Sequence, residues 1–120
     1  MTAREEIKNL LKLKWDHTIY QERYDEYRQI TDKYKNNNKS FKVGNMVVFY
    51  EWSYTKGNLL PPIEHLGIIM KIRDNRKINI NDYSLEIYTL KPLAYETHFG
   101  EDKRIIKIFN VSINRDVELL

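Results

Sequence analysis

The stretch from 41 to 72 constrains the fold most, because it reads as two apolar strands joined by a polar loop. The first strand follows Gly44, and the second, which begins near 66, is led by Gly67. The loop between them carries Pro61 and Pro62. Runs of β-branched and aromatic residues bounded by glycine and proline are typical of strands. The stretch therefore predicts the start of a β domain.

The segment before it predicts a helical arm over 1–38. Residues 1–35 contain no glycine or proline, and Thr2 with Glu5 forms a capping-box pattern. One helix of this length would reach about 50 Å. We expect a single long helix; the alternative is a helical hairpin broken at 16–18, where Asp and Thr can cap a helix. The spacing that favours a helix alternates between three and four along Leu10, Leu13, His17, Tyr20, Tyr24, Tyr27, Thr31 and Tyr34.

The remainder of the chain predicts further short strands separated by turns and loops. The strand from 41 to 52 is apolar on both faces, so we expect the arm to cover one of them. Five short strands around one interior predict a small β-barrel over 41–120. One or two strands are expected within 78–90, another at 103–111, and a final strand, alone or after a short turn, at 113–120, with loops at 53–65 and 91–102.

Two short motifs resemble those of a known class of barrels. The residues VGNMVV at 43–48 are similar to the opening strand of SH3-like and KOW-type barrels, although Asn45 stands where those barrels usually carry Asp. The residues HLGIIMKI at 65–72 look like their second strand. The resemblance implies an α+β fold in which a helical arm, 1–38, precedes a five-stranded SH3-like barrel domain, 41–120. Small proteins of this build are frequent in phages, and the abundance of Asn, Lys, Ile and Tyr fits an AT-rich coding genome.

Composition argues against several kinds of chemistry. The chain has no cysteine, which excludes disulfides, Cys-ligated zinc and thiol catalysis. His17, His65 and His98 are scattered, and no G-x-S-x-G or phosphate-binding glycine motif is present. We expect a protein that is not an enzyme and that has no metal or cofactor. The charged N-terminus and the short apolar runs predict a cytoplasmic protein, in the host cytoplasm if it is phage-encoded.

The aromatic residues predict a surface for a protein partner. Tyrosine and tryptophan are enriched in interfaces, and the chain has nine tyrosines and two tryptophans. The preferred function is a binding protein that docks on another protein, such as a host enzyme or defence system, and inhibits or redirects it. The alternative is that the same residues pack against the protein's own barrel. The predicted partner-binding residues are Tyr20, Tyr24, Tyr27, Tyr34, Trp52 and Tyr54.

Two other functions stay open at this level. A basic turn at 71–77 carries Lys71, Arg73, Arg76 and Lys77, which makes a nucleic-acid-binding accessory protein the first alternative. The net charge of +3 is too small to favour a polyanionic partner by itself. A structural phage component that forms homo-oligomers through the arm is the second alternative.

Overall fold

The N-terminal region forms two short helices that fold back on each other. The computed structural model describes residues 1–35, 40–53, 60–95 and 104–120. Helix α1 spans Ala3–Leu11 and helix α2 spans Tyr20–Lys33. The predicted capping box is confirmed, because the Thr2 side chain accepts from the Glu5 N–H and the Glu5 side chain accepts from the Thr2 N–H. The prediction of one long N-terminal helix is wrong, and the hairpin alternative describes the structure.

Local hydrogen bonds explain why the helix breaks. Asp16 Oδ1 accepts from the Thr18 N–H at 2.9 Å, from the Thr18 hydroxyl at 2.6 Å and from the Ile19 N–H at 3.2 Å. A short polar side chain that bonds the backbone just after it competes with helical hydrogen bonding. The break falls at the site named in the hairpin alternative.

Five antiparallel strands form one sheet in the order β4-β3-β2-β1-β5. A third helix, α3 (Asn110–Asp116), separates the last two strands along the chain. The strands are β1 (Met46–Glu51), β2 (Ile63–Asp74), β3 (Tyr83–Thr89), β4 (Ile105–Phe109) and β5 (Glu118–Leu119).

The sheet is open, so the predicted closed barrel is wrong, whereas the predicted number of strands is correct. A barrel closes only when the two edge strands of its sheet pair with each other, which here would be β4 and β5. Strand β5 has two residues and pairs only with Val47 and Val48 of β1. Residues 110–116 form α3, where the sequence predicted the end of one strand and then a final strand or a short turn. Within the described ranges, β4 and β5 are therefore the two edges of the sheet.

Two glycines meet steric requirements of this sheet. Gly44 has a φ of +92° in the turn before β1, a conformation that disfavours other residues. The Asn45 side chain accepts from the Lys42 N–H at 2.8 Å and closes that turn. At Gly67, a Cβ atom would overlap Ile87 and the backbone of the next residue on β3. These glycines let β1 start and let β2 approach β3 closely.

Strand β1 is covered on both faces, as its sequence predicted. Val47 and Phe49 face the main core, which also contains Ile69, Leu85, Ile87 and Ile113. Val48 and Tyr50 face the hairpin and pack with Ile7, Leu10 and Tyr27. None of the helices in the described ranges has the length and the apolar content needed to cross a bilayer.

Candidate partner-binding surfaces

Four of the predicted partner-binding residues lie together, because Tyr20, Tyr24 and Tyr27 surround Trp52. Trp52 directly follows β1. The ring of Trp52 lies edge-on to Tyr27 at 4.9 Å, to Tyr24 at 5.4 Å and to Tyr20 at 6.4 Å between ring centroids. The tyrosines share one face of α2 because they are spaced by four and three residues. Together with Trp15 they form what we call the aromatic cluster: Trp15, Tyr20, Tyr24, Tyr27 and Trp52.

Trp15 is the member of the cluster that the sequence did not single out as a site residue. It lies between α1 and α2, 5.9 Å from Tyr20 and 6.2 Å from Trp52 between ring centroids. Its indole N–H donates to the Leu10 carbonyl at 3.2 Å. The sequence alone does not reveal this position, because Trp15 reaches Trp52 across the hairpin.

Tyr27 belongs to the interior, whereas the other rings of the cluster are half-buried. Tyr27 is 0% exposed, and its hydroxyl donates to Asp116 Oδ1 at 3.3 Å. Burial, and then the nearby Asp116 carboxylate, raise the pKa of Tyr27. Burial likewise raises the pKa of Asp116 itself, while Arg28 opposes this from 3.3 Å. Tyr27 therefore joins α2 to α3 and is not accessible to a partner in this conformation.

The last two predicted partner-binding residues do not join this cluster. The Tyr34 hydroxyl donates to the Met1 carbonyl at 2.6 Å, which ties the end of α2 to the start of the chain. Tyr54 lies outside the described residues. The accessible part of the aromatic cluster is the half-buried rim formed by Trp15, Tyr20, Tyr24 and Trp52.

A second apolar surface lies on the same face of the sheet, beyond the hairpin. The register places Met46 opposite Ile68, Ile68 opposite Tyr88, and Tyr88 opposite Ile105. Paired residues of an antiparallel sheet share a face, so these four form a line across four strands. We call this line the open row: Met46, Ile68, Tyr88 and Ile105.

The hairpin covers this face only in part. Residues two apart on a strand share a face, so Met46 lies on the same side as Val48, which the hairpin buries. Met46 nevertheless remains 40% exposed and Tyr88 36% exposed, and Ile68 and Ile105 are half-buried. Phe109, four residues beyond Ile105 on the same side of β4, is 53% exposed.

The sequence contains only part of the signal for the open row. The alternation along β3 predicts inward positions at Tyr83, Leu85 and Ile87, and leaves Tyr88 as an aromatic residue facing outward. The line across four strands depends on register, which a strand pattern alone does not provide.

The basic turn predicted for nucleic acid is largely neutralised by its own carboxylates. Arg73 pairs with Asp82 at 3.1 Å, and Arg76 pairs with Asp74 at 2.7 Å. The hydrogen bond from Arg76 lowers the pKa of Asp74 to about 2. The Arg76 guanidinium also lies 4.0 Å above the Tyr83 ring.

The two lysines of the predicted nucleic-acid site are separated on the surface. Lys71 lies on β2 opposite Glu86, and Lys77 is exposed in the turn. A groove of about 560 Å³ beside the turn is lined by Arg76, Lys77, Ile80, Asn81, Asn110 and Asn114. Of its two cations, Arg76 is already paired.

Glu51 and His65 form a buried pair on the face of the sheet opposite the hairpin. His65 lies on β2, and not in the loop where the sequence placed it; its Nε2 donates to Glu51 Oε1 at 2.8 Å. Glu51 also accepts from the Ala94 and Tyr95 N–H groups at 3.0 and 2.9 Å. Burial lowers the pKa of His65. This pair fastens the segment at 94–95 to the sheet. His98 lies outside the described residues.

No family model, curated protein or solved structure matches this chain. The resemblance to SH3-like and KOW-type barrels therefore stays a prediction from two motifs.

Proposed function

We propose that this chain is a non-enzymatic binding protein that docks on another protein through the open row. The observation that supports the proposal is the line of Met46, Ile68, Tyr88 and Ile105, which the hairpin leaves uncovered. Contiguous apolar surface on a soluble chain usually marks an interaction site. Docking there would inhibit or redirect the partner.

The composition around the open row resembles that of an interface. Its centre is apolar and includes a tyrosine, and the next row along the strands consists of Lys71, Glu86 and Lys107. An apolar centre flanked by charged residues is the usual arrangement at protein interfaces. Burying apolar area stabilises a complex by about 25 cal/mol per Å² before the costs of association.

We rank the open row above the rim of the aromatic cluster for a physical reason. The rings of the cluster already contact each other at centroid distances of 4.9 to 6.4 Å, so much of their surface is used within the chain. The open row includes two exposed side chains, Met46 at 40% and Tyr88 at 36%, whereas the rings of the rim are half-buried. A partner therefore gains more newly buried area at the open row.

Site-specific photo-crosslinking tests this proposal. A photoreactive phenylalanine analogue replaces Tyr88 in one variant and Ile78 in a control. Ile78 is apolar and 91% exposed but lies in the basic turn, outside the open row. We expect a discrete crosslinked protein from a bacterial host lysate with the probe at 88 and none with the probe at 78.

A further probe at Tyr24 distinguishes the two surfaces. A crosslink from 24 with none from 88 would contradict docking through the open row and would favour the rim of the aromatic cluster.

A further inference from the structure

Strand β4 ends the sheet on the side of the open row. Among the described strands its neighbour is β3, with Lys107 opposite Glu86 and Ile105 opposite Tyr88. Alternate N–H and C=O groups of a strand point to its two sides, so a terminal strand presents such groups outward. An extended peptide can add to such an edge by backbone hydrogen bonds.

The residues that β4 contributes to this face are Ile105, Lys107 and Phe109. Ile105 ends the open row at the edge of the sheet. Lys107 is exposed, and its ammonium lies 5.6 Å from the centre of the Phe109 ring. The edge therefore offers an apolar position and a cationic position two residues apart on one face.

Charges alternate across the strands at the level of Lys107. The register places Lys71 of β2 opposite Glu86 of β3, and Glu86 opposite Lys107 of β4. Opposite charges in paired positions stabilise a sheet, and like charges destabilise it. If this alternation continued, a strand added beside β4 would carry a carboxylate opposite Lys107. Among the described residues, Asp82 is a further carboxylate near Lys107, and it is hydrogen-bonded by Arg73.

We infer that the partner supplies an extended segment that adds to β4 as a further strand. This segment carries an acidic residue opposite Lys107 and an apolar residue opposite Ile105. The backbone of β4 provides hydrogen bonds, and the two side-chain positions provide selectivity. The inference rests on the proposed function, because the same face receives the partner.

A second copy of β4 does not meet these requirements. Its sequence, IIKIF, contains no acidic residue. Antiparallel pairing centred on Lys107 would place two lysines opposite each other, which is destabilising. Lysine at an edge is a known safeguard against self-pairing of strands.

Synthetic peptides test the inference on the full chain. The probe is the labelled peptide acetyl-Thr-Val-Thr-Glu-Thr-Val-Thr-amide, whose glutamate and valines share one face. Its counterpart carries lysine in place of glutamate. We expect the glutamate peptide to bind more tightly by on the order of fivefold, measured by fluorescence anisotropy. Amide hydrogen exchange at 105–109 should slow when that peptide is added.

Charge reversal supplies the matched variants. Lys107→Glu should reverse the preference between the two peptides, whereas Lys77→Glu, the same change in the exposed turn, should leave it unchanged. Lys107→Gln, which should abolish the preference, serves as a second test if Lys107→Glu fails to fold.

Four results would overturn the inference. These are equal binding of the two peptides, no binding at millimolar concentration, an unchanged preference in Lys107→Glu, and self-association that protects 105–109 without peptide. If a partner still crosslinks at position 88, the proposed function stands and only the strand-addition inference fails.

Discussion

At the scale of single residues, His65 links the ionisation of one side chain to the stability of the chain. Its side chain is buried against Phe49, and its Nδ1 has no hydrogen-bond partner among the described residues. Protonation would place a second buried N–H there, which is why burial lowers the pKa of His65. In the unfolded chain a histidine has a pKa of about 6.5.

The sign of the pH effect follows from this difference. Below pH of about 6.5 the unfolded chain takes up a proton that the folded chain resists, so acid destabilises the fold. We expect the free energy of unfolding to fall between pH 7.5 and 5.5 with a slope of up to about 1.4 kcal/mol per pH unit from this residue. Urea denaturation across that range measures the slope.

His65→Gln should reduce the slope. His17→Gln, at an exposed position, controls for the loss of a histidine. A slope in His65→Gln as steep as that of the unmodified chain would show that other groups cause it.

At the scale of elements, the docking of the hairpin depends on a few leucine and isoleucine side chains. Leu10 on α1 is 4% exposed and packs against β1, whereas Leu13, just after the helix, is 48% exposed. Leu10→Ala should lower the free energy of unfolding by about 2–5 kcal/mol, because it removes buried contacts and leaves a cavity. Leu13→Ala should change it by less than about 0.5 kcal/mol.

The two variants share the same chemical change three residues apart, and because Leu and Ala have similar helix propensities their difference reports mainly on burial. Chemical denaturation of both variants provides the comparison. Equal small effects would mean that the hairpin does not dock on the sheet in solution.

The break between α1 and α2 also shows what the spacing of apolar residues cannot predict. The stripe from Leu10 to Tyr34 continues through the break, so the spacing predicts one helix. The decisive interactions are those of Asp16 with the backbone at 18 and 19, which the spacing of apolar residues does not reveal. The capping box was predictable because its two residues are close in sequence.

At the scale of the whole molecule, strand number and the two-sided burial of β1 were predictable, whereas closure was not. Apolar residues on both faces of β1 directly indicate cover on both sides. Closure of a barrel depends on the last residues of the chain. Seven of these form the helix α3 and only two form the strand β5. The open row was not predictable either, because it requires the register of four strands at once. Three of the predicted tyrosines, Tyr20, Tyr24 and Tyr27, meet at Trp52, but they pack mainly within the chain.

Hydroxyl-radical footprinting of the isolated chain tests most directly whether the hairpin covers only half of the sheet face. The side chains compared are two tyrosines of equal intrinsic reactivity, Tyr88 in the open row and Tyr27, which the hairpin packs against the sheet. We predict rapid oxidation of Tyr88 and of Met46, with Tyr27 protected, since their exposed fractions are 36%, 40% and 0%. Oxidation of Tyr27 as fast as Tyr88, or protection of Tyr88 and Met46 in a monomeric sample, would contradict this arrangement.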